Sequence, residues 1–310
     1  MENTRAKTTR NSLILLLTAT IWGMAFVSQS KGMDYMHPFT FNGVRSLIGA
    51  TGILVYILIS RKIAGDKAAK LDWKLNVKAG LLCGIFLTIA STLQQFGIKY
   101  TSVGKAGFIT TLYIIFVPMF GIFLKKKVAP VVWAAAGMAA GGMYLLCMTE
   151  SLRLGAGDIM VFLCAIAFAI QIMTVDHYAA RIDGAVVSCI QFTVCGVVCC
   201  IGALIWGQPT FGQIQEGLGA LLYAGVLSCG VGYTLQIVGQ KGLNPTVAAL
   251  IMSLESVIAT ISGWIAYKIG FLSTDQTLTP RQIAGCIIVF AAVILVQLPP
   301  EWFRFGKKNA

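Results

Sequence analysis

Leu93-Gln94-Gln95-Phe96-Gly97-Ile98-Lys99 reads Leu-Gln-x-x-Gly-x-Lys, and Leu235-Gln236-Ile237-Val238-Gly239-Gln240-Lys241 reads the same 142 positions later. Each copy closes an apolar run long enough for a membrane helix. Glutamine is costly in lipid unless it finds a partner. Finding it twice in one frame, at the end of two such runs, points to a duplicated membrane fold.

Composition agrees. Of 310 residues, 57% are hydrophobic and 12% charged, and mean hydropathy is +0.79. Soluble domains carry about twice that charge fraction. The chain therefore reads as an all-α polytopic membrane protein with almost no soluble domain. Ten segments have the length and polarity of spans: 11–30, 38–60, 78–98, 103–124, 129–148, 157–176, 184–206, 217–238, 245–268 and 281–298. They lack the two-residue alternation of a membrane barrel. Arg5, Lys7 and Arg10 ahead of Leu13–Leu17 imitate a signal peptide, but no small-x-small cleavage site follows, so the first helix is read as retained.

The net charge of +12 is a topology signal rather than a nucleic-acid footprint. With the N-terminus in the cytoplasm, 17 Lys and Arg fall on the inner side and 6 on the outer, with Arg45 inside a span. This predicts a multi-pass protein of the cell membrane with both termini cytoplasmic. Segment 61–78, with Trp73 among its basic residues, reads as either a short helix on the anionic inner leaflet or a solvated loop. All nine cysteines fall inside spans and none forms a Cys-x-x-Cys pair, so no metal site and no cofactor are expected.

The repeat extends beyond the glutamines. At the same offset Leu112-Tyr113 lies over Leu254-Glu255 and Gly121 over Gly263, and at an offset of 146 Arg45 lies over Gln191. The expected units are residues 11–148 and 157–298, each of five spans. Five is odd, so the second copy enters from the opposite side. That makes two inverted five-helix repeats, with Lys99 at the outer face and Lys241 at the inner one.

Several local motifs resemble the EamA family of the drug/metabolite transporter superfamily. They are Ala19-Thr20-Ile21-Trp22-Gly23 in span 1 and Thr101-Ser102-Val103-Gly104-Lys105-Ala106-Gly107 leading into span 4. Leu243-Asn244-Pro245-Thr246-Val247-Ala248-Ala249 with Leu254-Glu255 marks span 9. The resemblance covers about residues 11–298 and implies a carrier for amino acids or other small metabolites, more often an exporter than an importer. The family pattern often places proline after the acid. Here Ser256 follows Glu255, which removes the proline that would break the helix and keeps the carboxylate.

Arg45 is the sharpest candidate for binding substrate. An arginine at mid-helix costs about 2.5–3.5 kcal/mol on insertion scales. Facing a cavity, it offers a fork to a carboxylate or phosphate; otherwise it is held by Glu255 or by helix-end carbonyls. Glu255, halfway along span 9, suits proton coupling or an ammonium group, or else pairs with Arg45. Gln94 and Gln236 sit at matching depths. They either grip polar substrate groups or join the halves through hydrogen bonds of about 0.6–2 kcal/mol each. Trp22 and Tyr113 lie too deep for an interfacial belt and either line a cavity or pack the core. Asn42 shares a helix face with Arg45, and Gln171 is a further polar candidate. Gly137-x-x-x-Gly141 reads as close packing within one chain or as a homodimer seam, so the chain is a monomer or a homodimer. Pro118 is expected to kink span 4, and Pro245 to start span 9.

The expected function is secondary transport of a small organic metabolite by alternating access. The expected partners are that substrate, the lipid bilayer and a coupling proton, with no nucleic acid. No phosphate-binding glycine loop supports ATP-driven pumping. A channel or importing permease is the alternative. An intramembrane enzyme is the remote one, because His37 and His177 lie at opposite faces with no carboxylates around them.

Overall fold

The computed structural model describes residues 2–65, 71–101, 103–124, 129–147, 155–272 and 276–297. No strand occurs among them. The long helices are α1 (Glu2–Gly32), α2 (Pro38–Ala64), α3 (Trp73–Tyr100), α4 (Val103–Phe123) and α5 (Pro130–Cys147). They continue as α6 (Ala156–Tyr178), α7 (Gly184–Gly207), α8 (Leu218–Gln240), α9 (Pro245–Lys268) and α10 (Pro280–Gln297). Eight are long and apolar enough to cross a membrane; α5 and α10 have shorter apolar stretches.

Helix starts follow local chemistry. Proline occupies the first turn of α2 and α9, where its missing N–H is no loss. Asp72, Asp183 and Asn244 cap α3, α7 and α9 by accepting backbone N–H bonds. Segment 61–78 turns out to be mostly the ends of α2 and α3, which carry Arg61, Lys62, Lys74 and Lys78. Residues 66–70, the Lys125–Lys127 run and Trp302 lie outside the described residues.

Burial is inverted relative to a soluble protein. Asn42, Arg45, Gln95, Gln171, Gln191 and Glu255 are buried, whereas Leu58, Ile63, Leu204 and Phe211 are 60–81% exposed. Only a lipid surround makes that arrangement favourable, because it rewards apolar exteriors and leaves polar groups to find partners inside.

The two sets of five helices interleave. α1 packs on α8 as α6 packs on α3; α1 packs on α9 as α6 packs on α4; α2 packs on α8 as α7 packs on α3. α2 pairs with α7, α4 with α9 and α5 with α10. The glycines of the doubled motif explain part of this. A Cβ on Gly97 would overlap the Val161 side chain of α6, and one on Gly239 would lie 2.8 Å from the Leu15 side chain of α1. Each motif glycine lets its helix approach the other set closely.

α4 and α9 are both interrupted at mid-length. α4 is helical over Val103–Thr111 and Tyr113–Phe123, and α9 over Pro245–Met252 and Leu254–Lys268. The interruption in α9 needs no proline. Ser253 and Ser256 hydroxyls donate to the carbonyls of Leu250 and Ser253, at 2.7 and 2.8 Å, and such back-bonds bend helices. In α4 the Thr111 hydroxyl does the same to Phe108, and the interruption at Leu112 precedes Pro118, which sits inside the following helix. Pro118, where a kink is expected, lies inside a continuous helical segment, and the break that the missing proline argued against is present.

The Gly-x-x-x-Gly reading also changes. A Cβ on Gly137 or Gly141 would meet nothing within 4 Å, whereas one on Gly142 would lie 2.9 Å from the Gly285 carbonyl of α10. Close packing within the chain uses Gly142, one position away.

Candidate functional site

The interruptions in α4 and α9 place Tyr113 and Glu255 in the first turn of a second helical segment, deep in the bundle. The Tyr113 hydroxyl donates to Glu255 Oε1 at 3.0 Å, so two positions related by the sequence repeat meet. Both line a small cavity of about 30 Å³, enough for one or two waters. Its wall also holds Trp22, Gln29, Arg45, Ser46, Ser91, Gln94 and Thr110 from the first set of helices, with Phe168, Phe192, Ser228, Cys229, Tyr233 and Gln236 from the second.

Six of the eight candidate residues therefore line one cavity: Trp22, Arg45, Gln94, Tyr113, Gln236 and Glu255. Gln171, the hydrogen-bond partner of Gln236, does not. Neither does Asn42. It is fully buried behind the wall, where its Nδ2 donates to the Ser91 carbonyl at 2.9 Å. The Ser46 hydroxyl beside Arg45 reaches Cys195 Sγ at 3.4 Å, so this corner is braced against α7.

Arg45 and Glu255 are the charged side chains of the wall, 5% and 4% exposed. Among the described residues they form no ion pair with each other. The Arg45 guanidinium lies 5.3 Å from the Phe41 ring centre, and its Nε has no hydrogen-bond partner among the described residues. A buried guanidinium with unused donors is expensive unless something else accepts from it. The fixed Arg45–Glu255 pair considered from sequence is absent from this arrangement.

The glutamines do not join the halves. Gln94 Nε2 donates to the Thr110 hydroxyl at 3.2 Å and Gln95 Nε2 to the Gln29 carbonyl at 3.1 Å, all in the first set. Gln236 Nε2 donates to Gln171 Oε1 at 3.2 Å and Gln240 Nε2 to the Ile172 carbonyl at 3.5 Å, all in the second. Each glutamine stiffens its own half; Gln94 and Gln236 also line the cavity, and Gln95 and Gln240 do not.

Aromatic rings close one side. Trp22 and Tyr233 lie 4.5 Å apart between centres, Phe192 meets Tyr233 edge-on at 5.0 Å, and the Trp22 indole N–H reaches the Ser228 carbonyl at 3.4 Å. Sequence reasoning passed over Tyr233, Gln29, Ser91 and Thr110. Helical spacing was the available signal. Tyr233, Ser91 and Thr110 each stand three positions before a chosen residue, and Gln29 stands seven after Trp22.

Away from the cavity wall, hydrogen bonds and an ion pair join the two sets near both ends of the bundle. At one end Lys105 Nζ meets Asp158 Oδ2 at 2.6 Å, and the Thr101 hydroxyl donates to Asp158 Oδ1 at 2.8 Å. At the other, Asn11 Nδ2 donates to the Lys241 carbonyl at 2.8 Å, and Asp183 N–H donates to Asn76 Oδ1 at 2.9 Å.

Known proteins match this chain along its length. The model of the EamA-like transporter family matches residues 10–148 and again 155–298. An uncharacterized transporter of Archaeoglobus fulgidus is 27% identical over 290 residues, 92% of this chain and 84% of its own. The uncharacterized transporter YwfM of Bacillus subtilis is 24% identical over 94% of both chains. A solved crystal structure superposes with a TM-score of 0.73 over 96% of this chain and 99% of its own, at 16% identity, which shows a shared fold. With the family model covering nearly every described helix, the chain belongs to the EamA-like transporter family and is a multi-pass membrane transporter.

Proposed function

We propose that this transporter is a secondary carrier that exports a small zwitterionic metabolite, an amino acid or a close relative. The observation that carries the reading is the cavity in which Arg45, from the first set of helices, and Glu255, from the second, stand buried and unpaired with each other. A substrate carboxylate satisfies the guanidinium and an ammonium satisfies the carboxylate, so one zwitterion completes both. The cavity holds only about 30 Å³, so cargo needs the halves to part.

The proposed movement is alternating access between two inverted five-helix repeats, residues 11–148 and 157–298. The interchangeable helix pairings and the twofold family match support that division. The charge asymmetry supports placement in the cell membrane with both termini in the cytoplasm.

Glu255 is the proposed coupling group. It can be occupied by a proton or by the substrate ammonium, and exchange of one for the other links the two flows. In proteoliposomes preloaded with a mixed pool of amino acids and metabolites, release should be saturable and driven by an imposed pH gradient. Glu255→Gln should abolish the pH-driven component, and pH-driven release at the full rate in that variant would show the coupling assignment to be wrong.

A further inference from the structure

We propose that α2 and α8 form a binding site for an anionic phospholipid, separate from the cavity. A recess of about 530 Å³ opens at the end of the bundle where α2 and α8 finish, and Arg61, Arg181 and Lys241 line it. A second groove, of about 440 Å³, runs along the outside of the bundle between the same helices, lined by Gly49, Gly52, Ile53, Val226, Val231 and Leu235. The two share Tyr56, Thr234 and Val238, so a basic recess passes directly into an apolar groove.

The chemistry changes along this path as a phospholipid does. Asp72 and Asp183 also line the recess, but their carboxylates accept backbone N–H bonds at the starts of α3 and α7. Among the described residues three cationic side chains thus stand against two carboxylates, which leaves the recess one positive charge in excess. Lys241 Nζ reaches the Ile182 carbonyl at 3.3 Å, which holds it at the rim. The groove floor is glycine backbone: a Cβ on Gly52 would meet nothing within 4 Å, and one on Gly230 only the Gly225 and Gly49 carbonyls, at 3.5 and 4.0 Å.

Length agrees as well. Gly49 and Arg61 are 12 positions apart on α2, about 18 Å of helix. Half of the hydrocarbon core is about 15 Å. One acyl chain laid in the groove therefore carries its headgroup to the three cations. Basic recesses between spans at the inner face select anionic lipids by the same electrostatics. A free anion fits the recess but leaves the groove without an occupant.

Purified full-length protein in detergent is titrated with dioleoyl phosphatidylglycerol or dioleoyl phosphatidylcholine, and bound lipid is counted by native mass spectrometry. The tails are identical, so a preference reports the headgroup. Phosphatidylglycerol should bind more tightly by about fivefold for each cation engaged. Arg181→Gln, at an exposed side chain, should reduce that preference, and adding Lys241→Gln should reduce it further; if the double variant fails to fold, the single one decides. Gly52→Leu fills the groove and should weaken both lipids together. Equal binding of the two lipids, an unchanged preference in Arg181→Gln, unchanged affinity in Gly52→Leu, or full displacement of phosphatidylglycerol by inorganic phosphate would each overturn the site. The readout is binding, so the proposed transport can fail while this site stands, and the reverse.

Discussion

α3 and α8 carry the same closing motif, yet they are built differently. α3 is a regular α-helix over 28 residues, Trp73–Tyr100. α8 has a ten-residue π-helix, Tyr223–Gly232, before its motif. The shared part does the shared work: Gly97 and Gly239 seat each helix on the opposite set, and Gln94 and Gln236 bond within their own set. The π segment faces the cavity with Ser228 and Cys229 and receives α1 through the Trp22 and Thr18 side chains, at 3.4 and 3.5 Å. π segments are uncommon and often mark functional sites. The halves agree in the glycines that seat the helices and in the two glutamines of the cavity wall, and diverge at other positions of that wall. Arg45 against Gln191 and Tyr113 against Glu255 show the same division.

The largest effect should come from erasing that divergence. Arg45→Gln gives α2 the residue type that α7 carries, and counterflow of the zwitterion should fall by about 30-fold or more, the loss expected when a buried charge partner is removed. Gln191→Ala should leave counterflow within about threefold, because Gln191 is buried outside the cavity wall and both polar atoms of its amide lack a partner among the described residues. Equal losses in the two variants would erase the distinction between them.

The shared part should respond alike in both copies. Gly97→Leu and Gly239→Leu should each destabilise the protein by about 1–3 kcal/mol through overpacking, read as a lower unfolding temperature in detergent. A much smaller effect at Gly239 would mean that the π-helical segment of α8 gives way where α3 cannot. At a finer scale, Gly142→Ile should lower the unfolding temperature, because a Cβ there would press on the Gly285 carbonyl, while Gly141→Ile should leave it nearly unchanged.

The smallest effect concerns pH. His37 begins α2 by accepting the Phe39 N–H at 3.4 Å, which requires the neutral ring. Burial first, then the Lys99 charge, hold its pKa below the usual imidazole value. Folding therefore favours the unprotonated form. Its contribution is present at neutral pH and is lost as pH falls through the acid side of neutrality. His37→Asn keeps an acceptor at the cap, and its unfolding temperature should fall less between pH 7.5 and about 5 than that of the unaltered protein.

Much of the architecture was legible in the sequence because lipid imposes simple rules. Apolar runs located the eight helices long enough to cross a membrane, although α1 starts at Glu2, well before residue 11, and α3 starts earlier because Asp72 caps it before the apolar stretch. The polar residues chosen for their cost in lipid mostly converged on one cavity, since buried polar groups gather where they can be satisfied. Asn42 misled because sharing a face with Arg45 fixes direction around a helix, not whether a neighbouring helix stands in between. The interruptions before Tyr113 and Glu255 were hidden because serine and threonine back-bonds, not prolines, bend those helices. The π segment left no sequence signal that distinguishes it from an ordinary glycine-bearing span. Gly141 and Gly142 differ by one position and about 100° of rotation, which only packing resolves.

The central claim is that Arg45 and Glu255 together recognise one substrate carrying both charges. Its most direct test is release from preloaded proteoliposomes of a transported zwitterion beside two analogues, one without the carboxylate and one without the amino group. The account predicts saturable release of the zwitterion and at least about tenfold slower release of either analogue, since each leaves one buried charge unmet. Release of the amine analogue at the same rate as the zwitterion would contradict it, because Arg45 would then have no part in holding the cargo.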